Sequence, residues 1–311
     1  MNKRQKQIQL YLYKNEKELI KELKKVYRQS LDNINTKITD LLARTDIENL
    51  SSIIYQVEYQ KALKTQINAI LDQLYINNFE TISKYLGTCY NDAFIGTLYD
   101  LQGQGVPLLF PIDQEQVVRA LNTNSKISEG LYQKLGFNVN DLKKQIRSEI
   151  SRGISQAYTY GEIARNLKNT SNVDINKTLR IVRTEGHRIQ QAATYDCQCK
   201  AKDNGAEIVK QWDATLDAKT RSDHIFLDGQ IKETDEYFEV GGYKALYPSG
   251  FGVASEDINC RCCLLQRAKW ALEKEKTITK YDGINRKLIT IEADSYEEFK
   301  EKYWREINDN R

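Results

Sequence analysis

The residues best suited to chemistry lie between Trp212 and Cys263. His224, Cys260, Cys262 and Cys263 are four soft or borderline metal ligands drawn from two short segments, in a chain with only two histidines and six cysteines. A zinc site is the first chemistry they suggest. Their spacing argues against it, because structural zinc favours Cys-x2-4-Cys pairs and an extended Cys-x-Cys-Cys run sends neighbouring side chains to opposite sides. A second reading uses the charges instead. Asp217, Arg221, Asp228 and Arg261 could form a buried or half-buried ion-pair lattice that holds long loops, since the planar guanidinium can join two carboxylates at once. Cys260 and Cys262 would then be small core residues and His224 a hydrogen-bonded structural histidine. The sequence favours this second reading and expects no cofactor. A third reading makes His224 a general base oriented by Asp217 or Asp228, in a nuclease-like or other effector enzyme. His187 is the only other histidine, and no phosphate-binding glycine loop or serine nucleophile elbow is present, so no enzyme is expected.

In chain order the stretch gives Trp212, then Asp217-x-x-x-Arg221 with His224 shortly after. Asp228-Gly229 follows, then Tyr247-Pro248 before a glycine-rich turn, and Asn259-Cys260-Arg261-Cys262 closes it. Arg183-Thr184-Glu185 stands upstream on an expected helix. This order resembles the phage Mu F-like head morphogenesis family over residues 141–266. The resemblance implies a minor head, or minor capsid, protein that takes part in phage head assembly. It implies association with the portal protein and with scaffold or major capsid protein, residence in the virion after assembly in the host cytoplasm, and in some members ejection with the DNA. Other members look richer in ligands, with Cys-x-x-Cys where this chain has Arg221-Ser222-Asp223-His224 and a histidine at Asp257. Those departures weaken the metal reading here.

The elements that must position these residues follow from periodicity. From Lys14 to Arg44, Leu19, Leu23, Tyr27, Leu31, Ile34, Ile38 and Leu41 recur every three or four residues, which predicts one long amphipathic helix. A second helical stretch after Ser52 carries Val57, Leu63, Ile67, Ile70, Leu74, Phe79, Ile82, Leu86, Tyr90 and Phe94. It breaks at Gln102-Gly103-Gln104-Gly105-Val106-Pro107, and two long helices with a short connection suggest a hairpin. Short helices are expected over 113–121 and 131–137. Asp141 is an N-cap candidate for a helix bearing Leu142, Ile146, Ile150 and Ile154. A short helix over 161–167 and a polar break at 168–172 follow, before a helix capped by Asp174 reaches about Lys200. Glu207 to Trp212 predicts a strand, Asp228-Gly229 a hairpin turn leading to Ile231, and Gly241-Gly242 a second hairpin. In the tail, Asp282-Gly283 predicts a further hairpin, and Ser295 with Glu298 a capping box for a helix whose aromatic stripe packs back on the chain.

The expected fold is therefore α+β and predominantly α: a long N-terminal helical hairpin, a helical middle region and a small α+β module. The expected segments are 1–102, 103–140, 141–266 and 267–311. Three prolines and 29% charged residues fit a helix-rich chain of 311 residues. A net charge of +3 is too small to announce nucleic-acid binding by the whole chain. Residues 1–30, however, hold nine Lys or Arg against three Glu, a basic start that could contact DNA or simply be a solvated helix face. No apolar run is long enough for a membrane span, and no secretory signal follows Met1.

Overall fold

The computed structural model describes residues 1–44, 53–122, 160–272 and 296–309, with isolated positions between 142 and 152. In chain order its elements are α1 (Lys3–Arg44), α2 (Ile53–Gly103), α3 (Gln114–Asn122), α4 (Tyr160–Asp203), β1 (Ile208–Asp213), α5 (Ser222–Leu227), β2 (Ile231–Lys232), β3 (Phe238–Val240), β4 (Tyr243–Ala245), α6 (Ala254–Asp257), β5 (Cys263–Ala268), α7 (Lys269–Leu272) and α8 (Tyr296–Asp309). The chain is mostly helical, with small antiparallel sheets confined to its C-terminal part.

The first helix begins eleven residues before the expected Lys14, and local chemistry explains why. Asn2 accepts a hydrogen bond from the Gln5 backbone N–H through Oδ1 (2.8 Å), and Gln5 Oε1 accepts one from the Asn2 N–H (2.9 Å). This reciprocal cap satisfies two of the donors that a helix start leaves unpaired. The second helix ends at Gly103, where the glycine-rich break was expected. The polar run at 168–172 does not interrupt α4, which continues through it as one helix of 44 residues. Asn, Thr and Ser are weak helix formers rather than breakers, and flanking buried residues such as Leu167 and Ile175 carry the helix across. Leu142 and Ile146 are buried as their spacing suggests. The expected helix over 131–137, the rest of the Asp141-capped helix, the hairpin at Asp282-Gly283 and the Ser295 cap lie outside the described residues.

Packing divides the chain into two compact units, and α1, α2 and α4 each run through both. One unit comprises Lys17–Lys84 and Gly130–Val182. Its buried residues include Leu19, Leu23, Tyr27 and Ile34 of α1, Leu71, Leu74 and Ile82 of α2, and Ile175 and Leu179 of α4. Tyr27 and Thr178 hydrogen-bond inside it at 3.0 Å. The other unit comprises Met1–Glu16, Tyr85–Glu129 and Arg183–Arg311. It contains the whole of the Trp212 to Cys263 stretch.

In that second unit β1 is the centre of a three-stranded antiparallel sheet ordered β2, β1, β5. Trp212 pairs with Leu264 and Asp213 with Cys263 across β1 and β5. Glycines 241 and 242, both at positive φ, close the tight β3–β4 hairpin, as Gly-Gly at a two-residue turn requires. Asp228-Gly229 is not a hairpin turn. It ends α5, and β2 returns to β1 only after that helix, so the connection is long. The tail helix does pack on its own chain: Tyr296, Phe299 and Tyr303 are buried, Tyr296 donates to the Asp92 carbonyl, and Tyr303 donates to the Phe110 carbonyl at 3.0 Å.

Candidate functional site

The site is built on the inner end of β1. Trp212 is fully buried, with Phe238 (ring centroids 5.1 Å apart), Phe251 (5.9 Å) and the His224 ring (5.8 Å, edge-on) around it. His224 sits on the short helix α5, which is too short to be stable alone and is held by burial of His224 and Leu227. Asn259, the residue before Cys260, has φ 56°. Asn tolerates this left-handed conformation better than most residues, which gives it a physical role in the Asn-Cys-Arg-Cys run. After it Cys260 and Cys262 both turn to His224, while Arg261, between them, points outward to Asp217.

Three side chains converge here. His224 Nδ1 lies 3.3 Å from Cys262 Sγ and 3.6 Å from Cys260 Sγ, and the three ligand atoms all fall within 4.8 Å of one another. All three residues are buried. Cys263 points away, its Sγ facing the Arg261 carbonyl, because consecutive residues of an extended chain face opposite sides. The alternation that counted against a four-ligand set thus removes Cys263 and aligns Cys260 with Cys262. On the far side of the ring, His224 Nε2 is 3.3 Å from Glu256 Oε2, and neither atom makes a hydrogen bond of good geometry. The Trp212 indole N–H lies against Cys262, also without hydrogen-bond geometry. His187, from α4, binds the Cys262 carbonyl through Nε2 at 2.8 Å and stands within reach of the Cys260 thiol.

This crowding shifts the titration of the cluster. The hydrogen bond from Cys262 holds the Cys260 thiol well below its usual value against the cost of burial, with both histidines helping. Cys262 is pushed up by the same partnership and by burial. Burial works to lower the His224 pKa, but the hydrogen bond and charge of Cys260 outweigh it and the net direction is upward.

The charged residues do not form the expected buried lattice. Arg261 grips Asp217 with two bonds of 2.6 Å, but this fork is at the surface, both side chains being more than a third exposed. It holds the Asp217 carboxyl far below the ordinary range. Arg221 meets a backbone group, donating to the Ile258 carbonyl at 2.6 Å. Asp228 also meets backbone, accepting from the Ala214 N–H at 2.7 Å, while Gly229 N–H donates to the Trp212 carbonyl. Gly229 has φ 77°, the conformation that makes glycine suitable there. One ion pair and two backbone clamps therefore replace the lattice. Nor do Asp217 or Asp228 orient His224, since the carboxylate facing it is Glu256. Arg183 pairs with Glu16 at 2.9 Å in an exposed position. Glu185 is buried against Arg188 at 2.9 Å, and Arg188 also donates to the Ala120 carbonyl. Glu256 and Arg188 escaped the sequence reading, although Arg188 stood at i+3 from Glu185 on a helix, where opposite charges meet.

A cleft of about 600 Å³ opens beside the cluster, lined by Tyr13, Arg183, His187, Arg221, Cys260 and Arg261 among others. His224 and Cys262 do not line it.

Residues 144–265, the segment that carries the site, match the family described as Phage Mu protein F like protein. The chain is 25% identical over 288 residues to the minor head protein GP7 of Bacillus phage SPP1, an alignment covering 91% of this chain and 88% of that protein. It is 32% identical over 271 residues to the NAD(+)-arginine ADP-ribosyltransferase EFV of Enterococcus faecalis, covering 86% of this chain and 55% of that protein. The chain thus spans about half the length of the Enterococcus relative. No solved structure matches.

Proposed function

We propose that this protein is a minor head protein that enters the phage head during assembly at the portal. The observation that supports this reading most directly is the extent of the SPP1 alignment. It runs over 91% of this chain and 88% of a protein named for that role, so the likeness embraces nearly the whole of both. The virion is then its destination, and the portal with scaffold or major capsid protein its partners. The basic start of α1 supports a contact with packaged DNA, since Lys3, Lys6, Lys14 and Lys17 are all exposed. Mass spectrometry of purified virions and of portal complexes from the same lysate tests the reading. The protein should copurify with both, and its absence from virions while abundant in the lysate would overturn it.

The activity named for the Enterococcus relative favours a second reading, an effector enzyme. The aligned segment is only 55% of that relative but 88% of the minor head protein, so the shared part is better read as the head-associated part, with the transferase activity residing in the remaining length. Incubating the purified chain with labelled NAD and an arginine acceptor decides between them. Label transfer would establish the enzyme.

A further inference from the structure

We propose that His224 Nδ1, Cys260 Sγ and Cys262 Sγ together bind one zinc ion. The proposal stands apart from the head-protein reading. It rests first on geometry. Zinc bonds of about 2.1 Å to nitrogen and 2.3 Å to sulfur at tetrahedral angles put neighbouring N and S ligands about 3.5 Å apart. The two observed separations are 3.3 and 3.6 Å.

A metal-free hydrogen-bond cluster accounts for this arrangement less well. With Cys262 donating to Cys260 and Cys260 sharing a proton with His224 Nδ1, the 3.3 Å approach of Cys262 Sγ to the same nitrogen is left without a proton of its own. A zinc ion takes all three atoms at once. The surroundings follow the pattern expected around a bound metal. Ligating histidines usually present their other ring N–H to a carboxylate or backbone carbonyl, which fixes the tautomer and ring orientation. His224 Nε2 faces Glu256 Oε2, and both are buried atoms otherwise lacking a partner. The Trp212 N–H against Cys262 is the kind of donor that suits a metal-bound sulfur. Thiolate and imidazole ligands in a tetrahedral set favour zinc over harder cations. On binding, each thiol gives its proton to solvent and its sulfur lone pair to the ion, with no change of oxidation state. Beside these three ligands His187 stands within reach of Cys260, and both line the cleft.

The test uses the full chain, purified without chelator, loaded with zinc and dialysed. Elemental analysis should find one zinc per chain, retained in Cys89→Ser and lost in Cys262→Ser. Because a buried variant can fail to fold, the wild type is also loaded with cobalt. Near-ultraviolet thiolate-to-cobalt charge-transfer absorption is expected. Mass-spectrometric mapping should further show Cys260 and Cys262 protected from alkylation with zinc and released by chelator. Zinc well below one equivalent, equal alkylation of both cysteines with and without zinc, or a folded Cys262→Ser protein that keeps its metal would each overturn the assignment.

Discussion

Two regions of the same compact unit bury polar groups in opposite ways. In the helical region, the buried Asp100 carboxylate accepts from the amide side chains of Asn2 (2.6 Å), Gln5 (2.8 Å), Gln104 (2.8 Å) and Gln266. Asp92, pushed up by burial, is held by Lys300 and Asn15, which pull it back. Around Trp212, by contrast, His224 Nε2, Glu256 Oε2 and the indole nitrogen are buried without well-formed bonds. A buried polar group left unpaired costs about 1–3 kcal/mol. Asp100 and Asp92 are served by their own chain, and the unpaired helical atoms, Asn91 Oδ1, Gln116 Oε1, Glu185 Oε1 and Gln198 Oε1, are scattered, whereas those of the module gather around one histidine and two cysteines.

The largest expected effects set the two regions side by side. Arg188→Ala should cost about 3–5 kcal/mol, because it strands the buried Glu185 carboxylate. Trp212→Ala should cost about 3–5 kcal/mol through the cavity left among Phe238, Phe251 and Leu264. Urea unfolding measures both. If chelator lowers the wild-type midpoint and changes the Trp212→Ala loss while leaving the Arg188→Ala loss as it was, the module and not the helical region depends on metal. A Trp212→Ala cost under about 1 kcal/mol would show that the module core is not organised around this ring.

Next in size is a pH effect at Lys210. This lysine is fully buried, donating to the carbonyls of Thr234 (2.9 Å) and Leu246 (3.0 Å), and burial lowers its pKa to about 8. Since the folded state binds its proton less tightly than the unfolded chain, this contribution to stability is present above about pH 10.5 and is lost as pH falls through about 8. The difference in stability between wild type and Lys210→Met should therefore change by on the order of 3 kcal/mol across that window. A flat difference would mean that Lys210 is as well solvated by its carbonyls as by water.

Smaller effects are expected where the sequence pointed to strong ion pairs. Arg221→Ala should cost about 1 kcal/mol, the worth of one hydrogen bond to a carbonyl, read from the denaturation midpoint. A cost near that of Arg188→Ala would restore the buried-lattice picture. Asp217→Ala should leave the thermal midpoint essentially unmoved, because its Arg261 partner is at the surface, where such pairs are screened.

Much of this was legible in residue order. The long helices, the break near Gln102, strand β1 and the Gly241-Gly242 hairpin all follow from local periodicity and turn chemistry, which act over a few residues. Asn2 with Gln5 was an equally local signal for the earlier start of α1. The polar stretch at 168–172 misled because helix propensities are weak and a buried flank outweighs them. At the site, the Trp212, His224 and Cys260 to Cys263 set was found from composition, and strand alternation already implied that Cys260 and Cys262 share a side.

Partner choice was not local. Whether Arg221 met a carboxylate or the Ile258 carbonyl, and whether Glu256 or Asp228 faced His224, depended on how α5 and α6 dock on β1, decided by the burial of Trp212 and its ring neighbours. Residue order set the helical texture, the hairpin turn and the chemically capable residues, because these depend on neighbours along the chain. The convergence of one histidine with two cysteines, while the third cysteine turns away, came from long-range packing. Side chains 36 and 38 residues apart meet through packing, and packing leaves no spacing rule for a sequence to display.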